Sequence, residues 1–163
     1  MERTCCFTGH RPQKLPWGFH EETPGCKAVK KQLRDEVIRA VEQEGVRRFL
    51  SGMALGLDTW GAETVLALRK DWPITLECVL PCQGQAERWR TEDRKRYEHI
   101  LQQCNRVILL QKSYTADCFR RRNIYLVDHS DLIIALWNGK PSGTGQTVNY
   151  AQKHHKTLRF LQF

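Results

Sequence analysis

No apolar run in these 163 residues approaches the roughly 20 needed to cross a bilayer, which excludes a membrane-spanning helix. The chain enters a strand-like run by Arg3, leaving no room for a signal peptide, so a cytoplasmic location is expected. Low-complexity tracts are absent, and with them the usual mark of disorder. No Cys-x-x-Cys pair occurs, and no Cys/His cluster has zinc-finger spacing. The seven cysteines therefore read as small hydrophobes, several of them in apolar runs, and no metal is expected. What is in excess is positive charge. Lys and Arg number 26 against 18 Asp and Glu, a net charge of +8, which favours anionic partners from a nucleotide phosphate to nucleic acid.

The apolar run 3–8 ends at Gly9 and reads as a first strand. Between Gly9 and Gly25 lie Pro, Gly and Trp without helical period, a loop of the length that functional segments often have. Val29, Leu33, Val37 and Val41 then recur every fourth residue, predicting an amphipathic helix that Gly45 ends. A strand over 47–51 leads into a helix with Leu57, Gly61, Val65 and Leu68 on one face and Asp58 placed to cap its first turn. The reading continues with a strand over 74–80, a helix over 86–103, a nearly all-apolar strand over 106–110 and a helix over 117–129. A strand over 131–137, a helix over 143–155 and an edge strand over 157–163 complete it.

Strands and helices alternate, and the central strands are continuous apolar runs. The fold class is therefore α/β, a single Rossmann-like domain over 1–163 whose doubly wound, mostly parallel sheet carries helices on both faces. Ligands of such sheets sit beyond the carboxyl ends of the strands, near the switch in strand order.

Three glycine turns fall at such strand ends. Ser51-Gly52-Met53-Ala54-Leu55-Gly56-Leu57-Asp58 passes from strand to helix, where glycine lets backbone N–H groups approach an anion closely. Ser142-Gly143-Thr144-Gly145 repeats that arrangement before the last helix. Gly9-His10-Arg11 is the third, and Arg11 suits bidentate phosphate recognition. Arg120-Arg121-Arg122-Asn123 opens a helix, where most of the run is solvated and one Arg facing the pocket is the sharper reading. Trp60 either covers a ligand or fills the core. Trp17 and Phe19 either stack on a base or pin their loop.

In order, Cys-Phe-Thr-Gly-His-Arg-Pro at 6–12, Ser-Gly-Met-Ala-Leu-Gly-Leu-Asp-Thr-Trp at 51–60 and Arg-Asn-Ile-Tyr-Leu-Val-Asp at 122–128 resemble the SLOG superfamily. That superfamily joins DNA-processing protein A to the LOG phosphoribohydrolases, and within it the chain is most similar to the YpsA-like family of bacterial proteins. The resemblance covers nearly the whole chain. It implies a Rossmann-like fold and a nucleotide-derived ligand, NAD- or ADP-ribose-like or a nucleoside phosphate. It places pocket positions at Gly9, Arg11, Ser51, Gly52, Gly56, Asp58, Trp60, Arg122, Asn123, Gly143 and Thr144, to which the turns themselves add His10, Met53, Ser142 and Gly145.

LOG enzymes carry Pro-Gly-Gly-x-Gly-Thr-x-x-Glu and an Arg-Lys pair on the preceding helix. Here Arg122 falls on that Arg, Asn123 on the Lys and Thr147 on the catalytic Glu. A threonine cannot do the carboxylate's work at an oxocarbenium-like centre. Three readings stand. The first is binding of a small-molecule nucleotide, as a sensor or regulatory protein. The second is cleavage of an N-glycosidic or phosphate bond in it, with Asp58 and Arg122 as the candidate catalytic groups. The third is single-stranded nucleic-acid binding, as in DNA-processing protein A. No cofactor beyond the nucleotide-derived ligand is implied, and assembly as a homo-oligomer is left open.

Overall fold

The computed structural model describes residues 2–163 and contains one sheet of six parallel strands. In chain order these are β1 (Arg3–Gly9), β2 (Val46–Ser51), β3 (Thr75–Leu80), β4 (Arg106–Leu109), β5 (Leu132–Leu136) and β6 (Thr157–Phe160). In space they run β4-β3-β2-β1-β5-β6. The chain steps outward from β1 to β4, crosses back, and resumes on the other side of β1 with β5, where Gly9 lies opposite Leu136. The order therefore switches between β1 and β5.

Right-handed crossovers put helices on opposite faces once the direction of winding reverses. The helices α1 (Pro24–Glu44), α2 (Leu57–Leu68) and α3 (Thr91–Gln103) contribute to the core on one face. On the other face pack α4 (Cys118–Asp128) and α5 (Gly143–Lys153). Strand alternation divides the side chains between the two layers. Cys5, Phe7, Phe49, Leu76 and Ile134 point to the α1–α3 side, whereas Cys6, Leu50, Val79 and Ile133 point to the α4–α5 side. This is the doubly wound parallel sheet expected from the sequence.

Local chemistry sets the helix ends. Thr23 Oγ1 accepts the Cys26 N–H at 3.4 Å to start α1, Pro24 takes the first turn, and Gly45 ends the helix in the left-handed region at φ 70°. The long loop after β1 is fastened from several sides. Trp17 packs against Gly25, and Phe19 lies under the Arg90 guanidinium at 4.3 Å. Arg96 of α3 bridges Glu21 of the loop and Glu63 of α2 at 2.6–3.0 Å, and Lys30 of α1 reaches Glu21 at 2.7 Å.

Two expectations are corrected, and one strand takes a place in the sheet that the sequence did not set. Helix α3 begins at Thr91 rather than 86, because the preceding residues turn, with Gly84 at φ 77°, and Glu92 and Asp93 favour a helix start just beyond Arg90. The apolar run of β4 is an outer strand, with Val107 and Leu109 exposed. Asp58 does not cap an amide of the first turn of α2, since its carboxylate turns back to accept the Ala54 N–H at 3.3 Å. All seven cysteines are free thiols, and no described helix is long and apolar enough to cross a membrane.

Candidate functional site

A cleft of about 1000 Å³ opens where the strand order switches. The end of β1 from Phe7 to His10 forms its floor, the start of α4 one wall and α5 the other. Arg11, Lys14, Arg120, Arg122 and Lys153 line it, against Asp58 as the single carboxylate among the described lining residues. The cleft is thus strongly cationic, and ligands of open α/β sheets sit at this kind of position.

The N-terminus of α5 faces this space. Ser142 is extended (φ −171°), and its Oγ accepts the Gly145 N–H at 3.0 Å. Gly143 and Thr144 line the cleft, and the geometry of a first helical turn leaves their N–H groups without an intrahelical acceptor. A Cβ at Gly143 would meet nothing within 4 Å, so the backbone there is open. Gly145 instead packs on the Trp137 ring, behind the first turn. Thr147 also lines the cleft, but its hydroxyl donates to the Gly143 carbonyl at 3.0 Å.

The β2–α2 turn is built differently. Ser51 Oγ donates to the Asp58 carbonyl at 2.8 Å and accepts the Met53 N–H at 3.1 Å, and Thr59 Oγ1 donates to the Ala54 carbonyl at 2.9 Å. These bonds hold Met53 fully buried in the left-handed region at φ 60°, a conformation a non-glycine residue keeps only when its surroundings fix it. Gly56 sits at φ 90° with the His10 carbonyl only 2.6 Å from where a Cβ would be.

Gly52 has a different neighbour. A Cβ there would stand 2.8 Å from the Arg122 side chain. The guanidinium lies on this bare glycine, donating from Nη1 to the Gly52 carbonyl at 2.6 Å and from Nε to Asn123 Oδ1 at 2.9 Å. Of the three consecutive arginines, Arg122 alone is buried, at 3% exposure. Burial lowers its pKa and the Asp58 carboxylate opposes that shift. Burial likewise raises the Asp58 pKa, against the pull of Arg122.

His10 ties the ends of β1 and β5 together at the floor. Its Nε2 accepts the Asn138 N–H at 3.0 Å, and burial holds its pKa below the usual value. The imidazole in that bond is neutral, with its proton on Nδ1.

The structure brings Gly9, His10, Arg11, Asp58, Arg122, Asn123, Ser142, Gly143 and Thr144 to one cleft. Ser51, Gly52, Met53, Gly56 and Gly145 stand behind it as supports. Trp60 fills the core of the α1–α3 layer at 2% exposure, with Lys30 Nζ 5.5 Å from its ring centroid. Sequence reasoning missed Phe119, Lys14 and the wall of α5 formed by Gln146, Asn149, Tyr150 and Lys153. The signal for that wall was present. Positions 146, 149, 150 and 153 share a helix face opposite the inward Val148 and Ala151.

A model of the YspA SLOG family matches residues 5–163, in line with the resemblance carried by the motifs. Similar curated proteins include a UPF0398 protein of Bacillus thuringiensis (strain Al Hakam), 29% identical over 154 residues, covering 93% of this chain and 83% of the relative. A UPF0398 protein of Bacillus cereus (strain ATCC 14579) is 30% identical over 155 residues with the same coverage. Among solved structures, DNA processing protein A from Helicobacter pylori, studied for its single-stranded DNA binding mode, superposes with a TM-score of 0.67 at 22% identity, covering 99% of this chain. The Streptococcus pneumoniae protein of the same name gives 0.65 at 16% identity, covering 98% of this chain. This chain spans 66% of the first and 50% of the second, and the likeness at such identity is one of fold.

Proposed function

The chain belongs to the YspA SLOG family, and from that premise we propose that its cleft binds a nucleotide or nucleotide-derived ligand, NAD- or ADP-ribose-like or a nucleoside phosphate, in a sensing or regulatory role. One observation carries the reading: the open N-terminus of α5 and the buried Arg122 line the same cationic cleft at the switch point. Unpaired amides and the helix dipole favour an anion at the first turn. A guanidinium held by Gly52 and Asn123 is already oriented, so less rotamer freedom is lost on binding. The volume lies at the upper end of the range usual for small-molecule sites, enough for a nucleotide with a further group attached.

Binding is favoured over hydrolysis by what the nearby polar groups are doing. The hydroxyl of Thr147 is bonded within its own helix, and the Asp58 carboxylate is bonded to Ala54. The test is thermal shift and calorimetry against AMP, ATP, NAD and ADP-ribose, with Arg122→Ala beside the wild type. A rise in Tm with at least one of them, lost in the variant, is expected. No stabilisation by any, and no nucleotide released from natively purified protein, overturns the reading. Release of free base or phosphate that stops in Asp58→Asn would turn it into the hydrolytic one.

The cations at the rim favour a second reading, single-stranded nucleic acid, on a fold shared with a protein studied for that binding. A strand would follow Arg11, Lys14, Arg120 and Lys153. Affinity for a fluorescent oligonucleotide that falls steeply with added salt supports it, and absent or salt-independent binding removes it.

A further inference from the structure

Beside the main cleft lies a second hollow of about 80 Å³. Arg11, Gln13, Ala54 and Phe119 line both spaces, so the two adjoin, and Leu55, Gln85 and Trp89 belong to the hollow alone. Its aromatics differ from those of the core. Phe7 and Phe49 are fully buried, whereas Phe119 and Trp89 are only half-buried and border the hollow.

These side chains are held from behind. Trp89 packs edge-on with Tyr97, with ring centroids 5.3 Å apart at 81°. The Tyr97 hydroxyl donates to Gln85 Oε1 at 3.2 Å, and Gln85 Nε2 donates to the Gly52 carbonyl at 3.2 Å. That carbonyl is the one Arg122 also bonds. The Arg11 guanidinium lies over the Phe119 ring at 5.2 Å, and that of Arg122 at 5.6 Å. The hollow therefore has two aromatic rings and a planar cation as walls. Two carboxamides, Gln13 and Gln85, line it, and Gln85 keeps a second N–H and a second lone pair beyond those used by Gly52 and Tyr97.

Such walls suit a flat heteroaromatic ring with a polar outline. Every nucleobase has a face that stacks on aromatic and guanidinium planes, and an edge that pairs with amides. A second phosphate would find Arg11 as the one cation among the described lining residues. We propose that this hollow, too small to enclose a whole base, takes the inner part of a nucleobase whose remainder lies in the main cleft, a proposal that rests on the nucleotide reading above and adds where the base goes.

The experiment titrates the full chain with AMP and with ribose 5-phosphate, which keeps the sugar and phosphate and lacks the base. In the wild type AMP binds more tightly. Trp89→Ala weakens AMP about tenfold and leaves ribose 5-phosphate within about twofold. Trp89→Leu, which keeps an apolar side chain beside Tyr97, does the same and stands in if Trp89→Ala fails to fold. The intrinsic fluorescence change on adding AMP shrinks in Trp89→Phe. Equal wild-type affinity for the two ligands, or variants that weaken both alike, overturns the base subsite while nucleotide binding stands. Failure of the wild type to bind either overturns the nucleotide reading and the subsite with it.

Discussion

The β2–α2 and β5–α5 turns look alike in sequence, each a serine and glycines between a strand and a helix, yet the structure uses them in opposite ways. In the first, the serine hydroxyl, the Asp58 carboxylate and the Thr59 hydroxyl all bond within the turn, and its glycines lie against His10 and Arg122. In the second, the Ser142 hydroxyl bonds the Gly145 N–H and the Gly143 carbonyl takes the Thr147 hydroxyl, while the Gly143 Cα faces open space. The difference follows from position. β5 borders the switch point and β2 does not, so the helix after β5 starts at the cleft while the turn after β2 braces the cleft from the side. A glycine marks close approach, and what approaches can be a ligand or the chain itself.

The strongest way to break this contrast is Gly56→Ala. A methyl group would meet the His10 carbonyl at 2.6 Å, with the backbone at φ 90°. A backbone oxygen cannot swing aside as a side chain does, so a loss of about 3 kcal/mol is expected in urea denaturation. A change below about 1 kcal/mol would show that the turn is looser than its contacts imply.

Gly52→Ala comes next. Its methyl would displace the Arg122 guanidinium, which can move only by giving up the Gly52 carbonyl and the Asn123 bond. Expected are a loss of about 2 kcal/mol in stability and about tenfold weaker nucleotide binding by calorimetry. Adding Arg122→Ala to this variant should recover stability and not binding. Recovery of both would mean that Arg122 plays no part in the cleft's affinity.

The loop that follows the third turn, at Gly9, is fastened through Glu21 to Arg96 and Lys30, and this is sensitive to pH. Burial pushes the Glu21 carboxyl up, and the hydrogen bonds from Arg96 and Lys30 outweigh it, taking the pKa from 4.5 down to about 2. A carboxyl lowered on folding stabilises above its unfolded value and loses that contribution as pH falls through the folded one. Stability should therefore decline between pH 4.5 and about 2. Glu21→Gln should cost about 1–2 kcal/mol at neutral pH and flatten that part of the profile. An unchanged profile would show that the Arg96 bridge does not hold the loop.

Much of the fold is legible in the sequence because parallel sheets bury both faces of their strands. The alternation of apolar runs with helical periods in 29–41 and 57–68 has few other solutions. What is not legible is place within the sheet. The run Val107-Ile108-Leu109-Leu110 is as apolar as Leu132-Ile133-Ile134, yet one is an edge and the other is enclosed. The site is legible to the same depth. Topology puts the three glycine turns at one edge, but no pattern says that Gly52 supports an arginine or that Trp60 points into the core. Those outcomes depend on neighbours distant in sequence, such as Arg122 beside Gly52.

Gly143→Ala is the smallest expected effect and the one that most sharpens the contrast. The added methyl would meet nothing within 4 Å, and the residue already sits in the first helical turn. Stability should change by no more than about 0.5 kcal/mol, in either direction. The unliganded fold is therefore indifferent to a change that Gly56 cannot accept. Binding is another matter, because a phosphate drawn to the first amides of α5 would approach that same backbone. A few-fold loss of AMP affinity with folding unchanged places the phosphate at the turn. An affinity equal to wild type would put it elsewhere in the cleft, at Arg11 or Lys153, and leave the two turns differing in structure but not in use.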